Sequence, residues 1–153
     1  LTINRGEEDG VCVGQGVRNE EGVVGIISTV NTHYSVVLPI INSESNLSCR
    51  FLKNDYLATL KWKGANPDYA TLEDVAAHIP VREGDTIVTS GLTSSFPEGV
   101  RVGVVSKVKL QKGDSYYSID VKLATDFRKI KYVEIIGEKQ ETILPEIVQD
   151  GVE

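Results

Sequence analysis

A chain of 153 residues can bury one ordinary hydrophobic core or two small ones, so length alone does not choose between them. The net charge of −6 sits largely at the end, where residues 138–153 hold five acids and one lysine, and the remaining body is nearly balanced. No cluster of lysine and arginine with interleaved aromatics is written along it. That argues against a nucleic-acid partner, and neither acidic substrates nor anionic membranes are suggested.

The chain opens on Leu1, with no initiator methionine, no signal-peptide core and no apolar run of membrane-spanning length. It reads as a segment excised from a longer protein, with any membrane anchor outside it. Frequent glycine, β-branched apolar runs and closely spaced turn clusters predict an all-β fold of short strands.

The first predicted strands lie in EDGVCVGQGV (8–17) and EGVVGIISTV (21–30). HYSVVLPII (33–41), the turn NSES (42–45), NLSCRFL (46–52) and LATLKW (57–62) follow, with Leu47, Cys49 and Phe51 on one face. In NPDYATLEDVAAHIPV (66–81), Thr71 and Asp74 form a capping-box pattern, and Leu72, Val75 and Ala76 supply an apolar face. These predict a short helix over 72–78, closed by Pro80, with His78 at its carboxyl end as a helix-terminal cation.

The opening pattern then recurs. EGDTIVTSGL (83–92) and EGVRVGVVSKV (98–108) restate the first two words, and Val24, Ile26, Ser28 and Val30 match Val102, Val104, Ser106 and Val108 with one residue inserted at Arg101. These positions alternate, so each set shares one strand face. After a QKGD turn (111–114), YYSIDVKL (116–123) puts Tyr117, Ile119, Val121 and Leu123 on one face; TDFRKI (125–130) offers a helical turn near Asp126, and KYVEIIG (131–137) is a last strand. The expected architecture is two small six-stranded barrels or sandwiches: residues 1–64 as the first module, 65–78 as a helix-containing connection, 79–137 as the second module and 138–153 as an acidic flexible tail. Some exchange of strands across the boundary is compatible with this scheme. The glycines at 16, 22, 25, 91, 99 and 103 serve bends and close approaches, since no dinucleotide or phosphate-loop spacing surrounds them.

The segment GDTIVTSGLTSSFPEGVRVGVVSKV (84–108) resembles the extracytoplasmic region of the MreC family of bacterial rod-shape-determining proteins. Asp85, Thr89, Ser90, Gly91, Phe96, Pro97, Gly99 and Gly103 fall on its main signature, and Asn4, Gly6, Asp9, Gly10, Val11, Gly22, Val24 and Gly25 on its first block. The likeness runs over residues 2–137; QKGDSYYS (111–118) and everything after Gly137 match no family motif. The resemblance implies a two-barrel region of a membrane-anchored, periplasmic scaffold of the cell-elongation machinery. It further implies self-association as dimer or polymer, a class B penicillin-binding protein as partner, and contact with the membrane protein MreD, with no enzyme activity and no cofactor.

The competing reading is a chymotrypsin-like hydrolase, because MreC barrels resemble those of such proteases and His33, Asp55 and Ser115 stand in the order His, Asp, Ser. Tyr116 and Tyr117 follow the GDS word where glycines would be expected, and the serine sits at a hairpin tip, which weighs against it. Two histidines and no dense carboxylate cluster predict no metal site. Cys12 and Cys49 fit no metal-ligand spacing and read as two separate buried thiols, a disulfide being the alternative. For a partner surface the candidates are Phe96, Pro97 and Tyr116, although plugging a barrel end is the preferred reading of Phe96 and covering a neighbouring strand is the alternative for Tyr116. Asp9, Gly10, Gly22, Gly25, Asp85, Thr89, Ser90, Gly91, Gly99 and Gly103 are expected to be structural.

Overall fold

The computed structural model of the chain describes residues 1–110 and 113–136, and the backbone of 142–149. Among these residues the strands in chain order are β1 (Thr2–Ile3), β2 (Gly16–Arg18), β3 (Val23–Val30), β4 (Ser35–Pro39), β5 (Leu47–Phe51), β6 (Leu57–Lys61), β7 (Tyr69–Glu73), β8 (Thr86–Thr89), β9 (Arg101–Lys109), β10 (Ser118–Leu123), β11 (Tyr132–Ile136) and β12 (Thr142–Gln149). A single 3-10 turn, Glu7–Asp9, is the only helical element among the described residues.

Two closed, antiparallel six-stranded barrels result. Barrel one runs β1-β12-β11-β2-β3-β4 and closes through β4 on β1; barrel two runs β10-β7-β6-β5-β8-β9 and closes through β9 on β10. Ile3, Val17, Val24, Ile27, Val37 and Ile135 fill the first. Phe51, Leu60, Leu72, Ile87, Ile119 and Val121 fill the second.

The duplication is real, and it is swapped. Around the barrels β11, β2, β3, β4, β1 and β12 match β5, β8, β9, β10, β7 and β6 one for one, so the repeats are β1–β6 and β7–β12. Each repeat folds its first four strands into one barrel and gives its last hairpin to the other. The expected modules are thereby corrected: β5, β6 and β7 belong with the second barrel, β11 with the first, and the backbone of Thr142–Gln149 in the acidic tail is a strand pairing β1 and β11. The rest of the tail lies outside the described residues.

Hydrogen bonds confirm the match residue by residue. Gly14 donates to Ile27 O at 2.9 Å and Ile27 back to Gln15 O at 2.9 Å; Gly84 donates to Val105 O and Val105 back to Asp85 O, both at 2.8 Å. Gln15 Oε1 accepts from Cys12 N and Asp85 Oδ2 from Arg82 N, each at 2.8 Å. GQG thus stands where GDT stands in the second copy.

Two matched bulges, on β3 in the first repeat and on β9 in the second, break the expected alternation. Val24 has no partner between the pairs Gly25–Val17 and Val23–Arg18, and Val102 has none between Gly103–Ile87 and Arg101–Val88. Ser28 and Ser106 are the extra residues of the second bulges. A bulge reverses which face the following residues occupy. Ile27 and Val105 therefore point inward with Val24 and Val102, whereas Val104, expected inside, is 40% exposed.

The predicted helix is absent. Thr71 and Leu72 belong to β7, where they pair Asp120 and Ile119 of β10, and a turn carries Asp74 at φ 69 before Val75 re-enters the core. The capping-box spacing also suits a strand with a polar outer face, and cross-strand pairing decides the outcome. TDFRKI likewise forms only a turn, Lys129 N bonding Asp126 O at 3.1 Å.

Candidate functional site

The β2–β3 turn and the segment between β8 and β9, each inside a family motif, reach the opposite barrel at the seam. In the first repeat, Asn19 closes a tight β2–β3 turn: its N–H bonds Gly22 O at 3.0 Å and its side chain accepts from Gly22 N at 3.1 Å. Thr89 makes the same two bonds to Val100, at 2.9 and 2.8 Å, but an insertion separates them. The insertion crosses to barrel one. Ser95 Oγ donates to Gly14 O at 2.6 Å, Ser95 O accepts from Gly16 N at 3.1 Å, and Phe96 is 2% exposed against Gly16. A Cβ on Gly16 would stand 2.6 Å from the Phe96 ring, so glycine there makes the docking possible.

The turn of the first repeat crosses the other way. Glu21 Oε1 accepts from Asp126 N at 2.8 Å, and buried Thr125 donates to Val23 O at 2.8 Å. Val23, Ile40 and Ile136 from the first barrel's side join the core of the second. Phe96 is consequently a wedge in this seam rather than a surface contact, which corrects its candidacy for a partner. Pro97 is half-buried and accepts Thr89 Oγ1 at 2.7 Å. Of the three candidates Tyr116 stays open to solvent, 59% exposed, beside its bridge to Ala76.

The remaining motif residues hold turns. Asp9 accepts from Gly6 N at 3.0 Å, and Gly10 follows at φ 88. Asp85 also pairs Lys53 at 2.9 Å. Ser90 bonds Ser48 through both side chains at 2.8 Å, and Gly91 and Gly99 take positive φ at the ends of the insertion. Arg50, its side chain 12% exposed, is bracketed by Asp55 and Glu98, so the β5–β6 turn and the base of the insertion share one cation. Its Nε is buried without a hydrogen-bond partner. Sequence reasoning missed Ser95, Thr125, Glu21 and Arg50; the unequal spacing between Asn19 and Gly22 and between Thr89 and Val100 was the available signal.

His33, Asp55 and Ser115 are not assembled. His33 lies in the β3–β4 turn of barrel one and pairs Glu8 at 3.0 Å, Asp55 pairs Arg50, and Ser115 O accepts from Ala77 N at 2.9 Å beyond β9. His78 caps no helix. Cys12 is exposed and Cys49 buried, and both are free; burial pushes the Cys49 thiol up to about 12. The expectation of two buried thiols is corrected for Cys12, which lies in the loop before β2. Among the described residues no group of three or more His, Cys, Asp or Glu side chains is placed to hold a metal, and no helix is long and apolar enough to cross a membrane.

The family described as "Rod shape-determining protein MreC, barrel core" matches residues 1–137. The cell shape-determining protein MreC of Escherichia coli K12 is 35% identical over 133 residues, which are 87% of this chain and 36% of that protein. The chain therefore spans about a third of that relative's length. The crystal structure of MreC from Pseudomonas aeruginosa superposes with a TM-score of 0.82 at 29% identity, covering 88% of this chain and 86% of that one. MreC from Helicobacter pylori, solved in complex with the penicillin-binding protein PBP2, shares the fold at 20% identity and a TM-score of 0.61, covering 87% and 77%. Two swapped barrels locked by the signature insertion, together with a match that takes in both of them, place this chain in the MreC family of rod shape-determining proteins.

Proposed function

We propose that this chain is the two-barrel region of a non-catalytic scaffold that organises bacterial cell elongation and peptidoglycan synthesis, held in the periplasm by an inner-membrane anchor belonging to the longer protein. The family match over residues 1–137 carries the reading, because it covers every strand of both barrels up to the last, β12. The separation of His33, Asp55 and Ser115 supports a role without hydrolysis. A class B penicillin-binding protein is the partner we assign, supported by the complex in which the Helicobacter pylori relative was solved. Further contacts with MreD and with other copies of the chain complete the assembly, individually weak and strengthened by tethering.

Tyr116 is the contact we assign to the penicillin-binding protein, as the exposed member of the three candidates. Capture of the cognate class B enzyme on immobilised chain tests the reading. Binding is expected, and Tyr116→Ala should weaken it about tenfold, the effect of losing one aromatic anchor. No capture by folded chain, at any concentration up to the solubility limit, would remove the partner assignment.

A further inference from the structure

Pairing of β9 with β10 gathers cations that the sequence disperses. Arg101, Lys107, Lys109 and Lys122 are all exposed on the outer face of these two strands, with Asp120, half-buried opposite Lys107, as the one acid there. None of the four has an ion-pair partner among the described residues. A face of this sign on a chain of net charge −6 is a local reversal.

Apolar groups stand among these cations. Val104 lies opposite Lys122 and is 40% exposed; Leu110, directly after Lys109, is 49% exposed; and Tyr69, 37% exposed, carries the Lys122 ammonium 5.4 Å from its ring centre. Barrel closure leaves this sheet without a free edge, so side chains alone must do the binding.

We propose that the outer face of β9–β10 is a docking surface for an anionic lipid bilayer, its lysines and arginine meeting headgroup phosphates while Val104 and Leu110 enter the headgroup boundary. Charge complementarity selects an anionic partner. The exposed aliphatics select lipid over nucleic acid, since a phosphate backbone offers nothing to a valine or leucine whereas the acyl boundary takes both out of water. The surface is a property of barrel two itself and does not depend on the anchor assigned to the longer protein or on the partner assigned to Tyr116.

The test is co-sedimentation of the 153-residue chain with vesicles of phosphatidylcholine alone or mixed equally with phosphatidylglycerol. Binding to the anionic vesicles alone, weakening with salt, is expected. Lys107→Gln/Lys109→Gln should weaken it about twenty-five-fold, at about fivefold per charge. Leu110→Ser should weaken it about threefold at any salt concentration, a partial loss of one leucine's burial. Lys129→Gln/Lys131→Gln, removing the same charge from barrel one, should leave binding unchanged, and circular dichroism checks that each variant folds. Equal binding to both vesicles, equal loss from the barrel-one control, tighter binding to duplex DNA, or no binding at low salt would each overturn the proposal.

Discussion

Gly25 and Gly103 occupy the same place in the two repeats, and the reason is contact rather than torsion. A Cβ on Gly25 would stand 2.2 Å from Leu38 O, and one on Gly103 2.3 Å from Lys122 O, in each case the backbone of the neighbouring strand. Neither carbonyl can move without opening its ladder. Gly25→Ala and Gly103→Ala should each cost about 2–3 kcal/mol in urea denaturation, within the range for overpacking. Gly64→Ala, at φ 95 with nothing within 4 Å, should cost only about 1 kcal/mol from backbone strain. Cys49 makes a second prediction at this scale. Its thiol is raised from 9.0 to about 12 by burial, so the native state keeps a proton that the unfolded chain loses first. The stability linked to it is intact below pH 9 and falls as pH rises toward 12, by a few kcal/mol in all. Lysines and tyrosines titrate in the same window, so the measurement is the difference between wild type and Cys49→Ala, whose own stability lacks this component.

The insertion between β8 and β9 is the element that locks the seam between the two barrels. Phe96→Ala should destabilise by about 3–5 kcal/mol, the usual loss for a buried phenylalanine, and the seam should loosen with it. Amide hydrogen exchange locates that loosening: in Phe96→Ala, Gly16, whose N–H is held by Ser95 O, is expected to exchange through opening of the seam, well ahead of Leu60 in the interior of barrel two, which waits for global unfolding. Equal free energies of exchange at the two amides would mean that the seam does not open separately from the whole fold. Much of this element was readable in advance: TSSFPEG marks the family, and Phe96 suited a plug. Its destination was not readable, because a hydrophobic residue in a loop carries no address. The strands show the same division. β-branched alternation is a local signal and predicted the all-β class and the repeat, yet the bulges at Val24 and Ser28 reverse the inward face where no residue type announces them. The helix expected over 72–78 failed for a related reason, since Thr71 and Leu72 answer to partners on β10 nearly fifty residues away.

At the scale of the molecule the swapped hairpins tie the barrels together more tightly than the seam alone. The β5–β6 hairpin, from the first repeat, completes the wall of barrel two beside β7 and β8; β11 and β12, from the second, complete barrel one beside β1 and β2. Cutting the chain where the sequence repeats therefore leaves both pieces with open sheets: residues 1–64 keep only β1–β4 of their barrel, and 79–137 lose β7 as well as the donated hairpin. Open sheets of this kind expose core residues such as Val17 on β2 and Ile119 on β10 along unpaired edges, and such fragments should stay unfolded or aggregate when expressed separately. The intact chain should unfold in one transition, because neither barrel can lose a donated hairpin without disturbing the repeat that donates it. Trp62 offers a local probe, half-buried against the barrel-two core and held by its indole N–H on Asn66 O at 2.8 Å. Its fluorescence should follow the far-ultraviolet circular dichroism of the whole chain at every urea concentration. Gly25→Ala, in barrel one, should move the Trp62 midpoint by as much as it moves the global one. A Trp62 transition that ignores the barrel-one substitution would show that the barrels are independent despite the exchange, and the two sequence halves would then be separable after all.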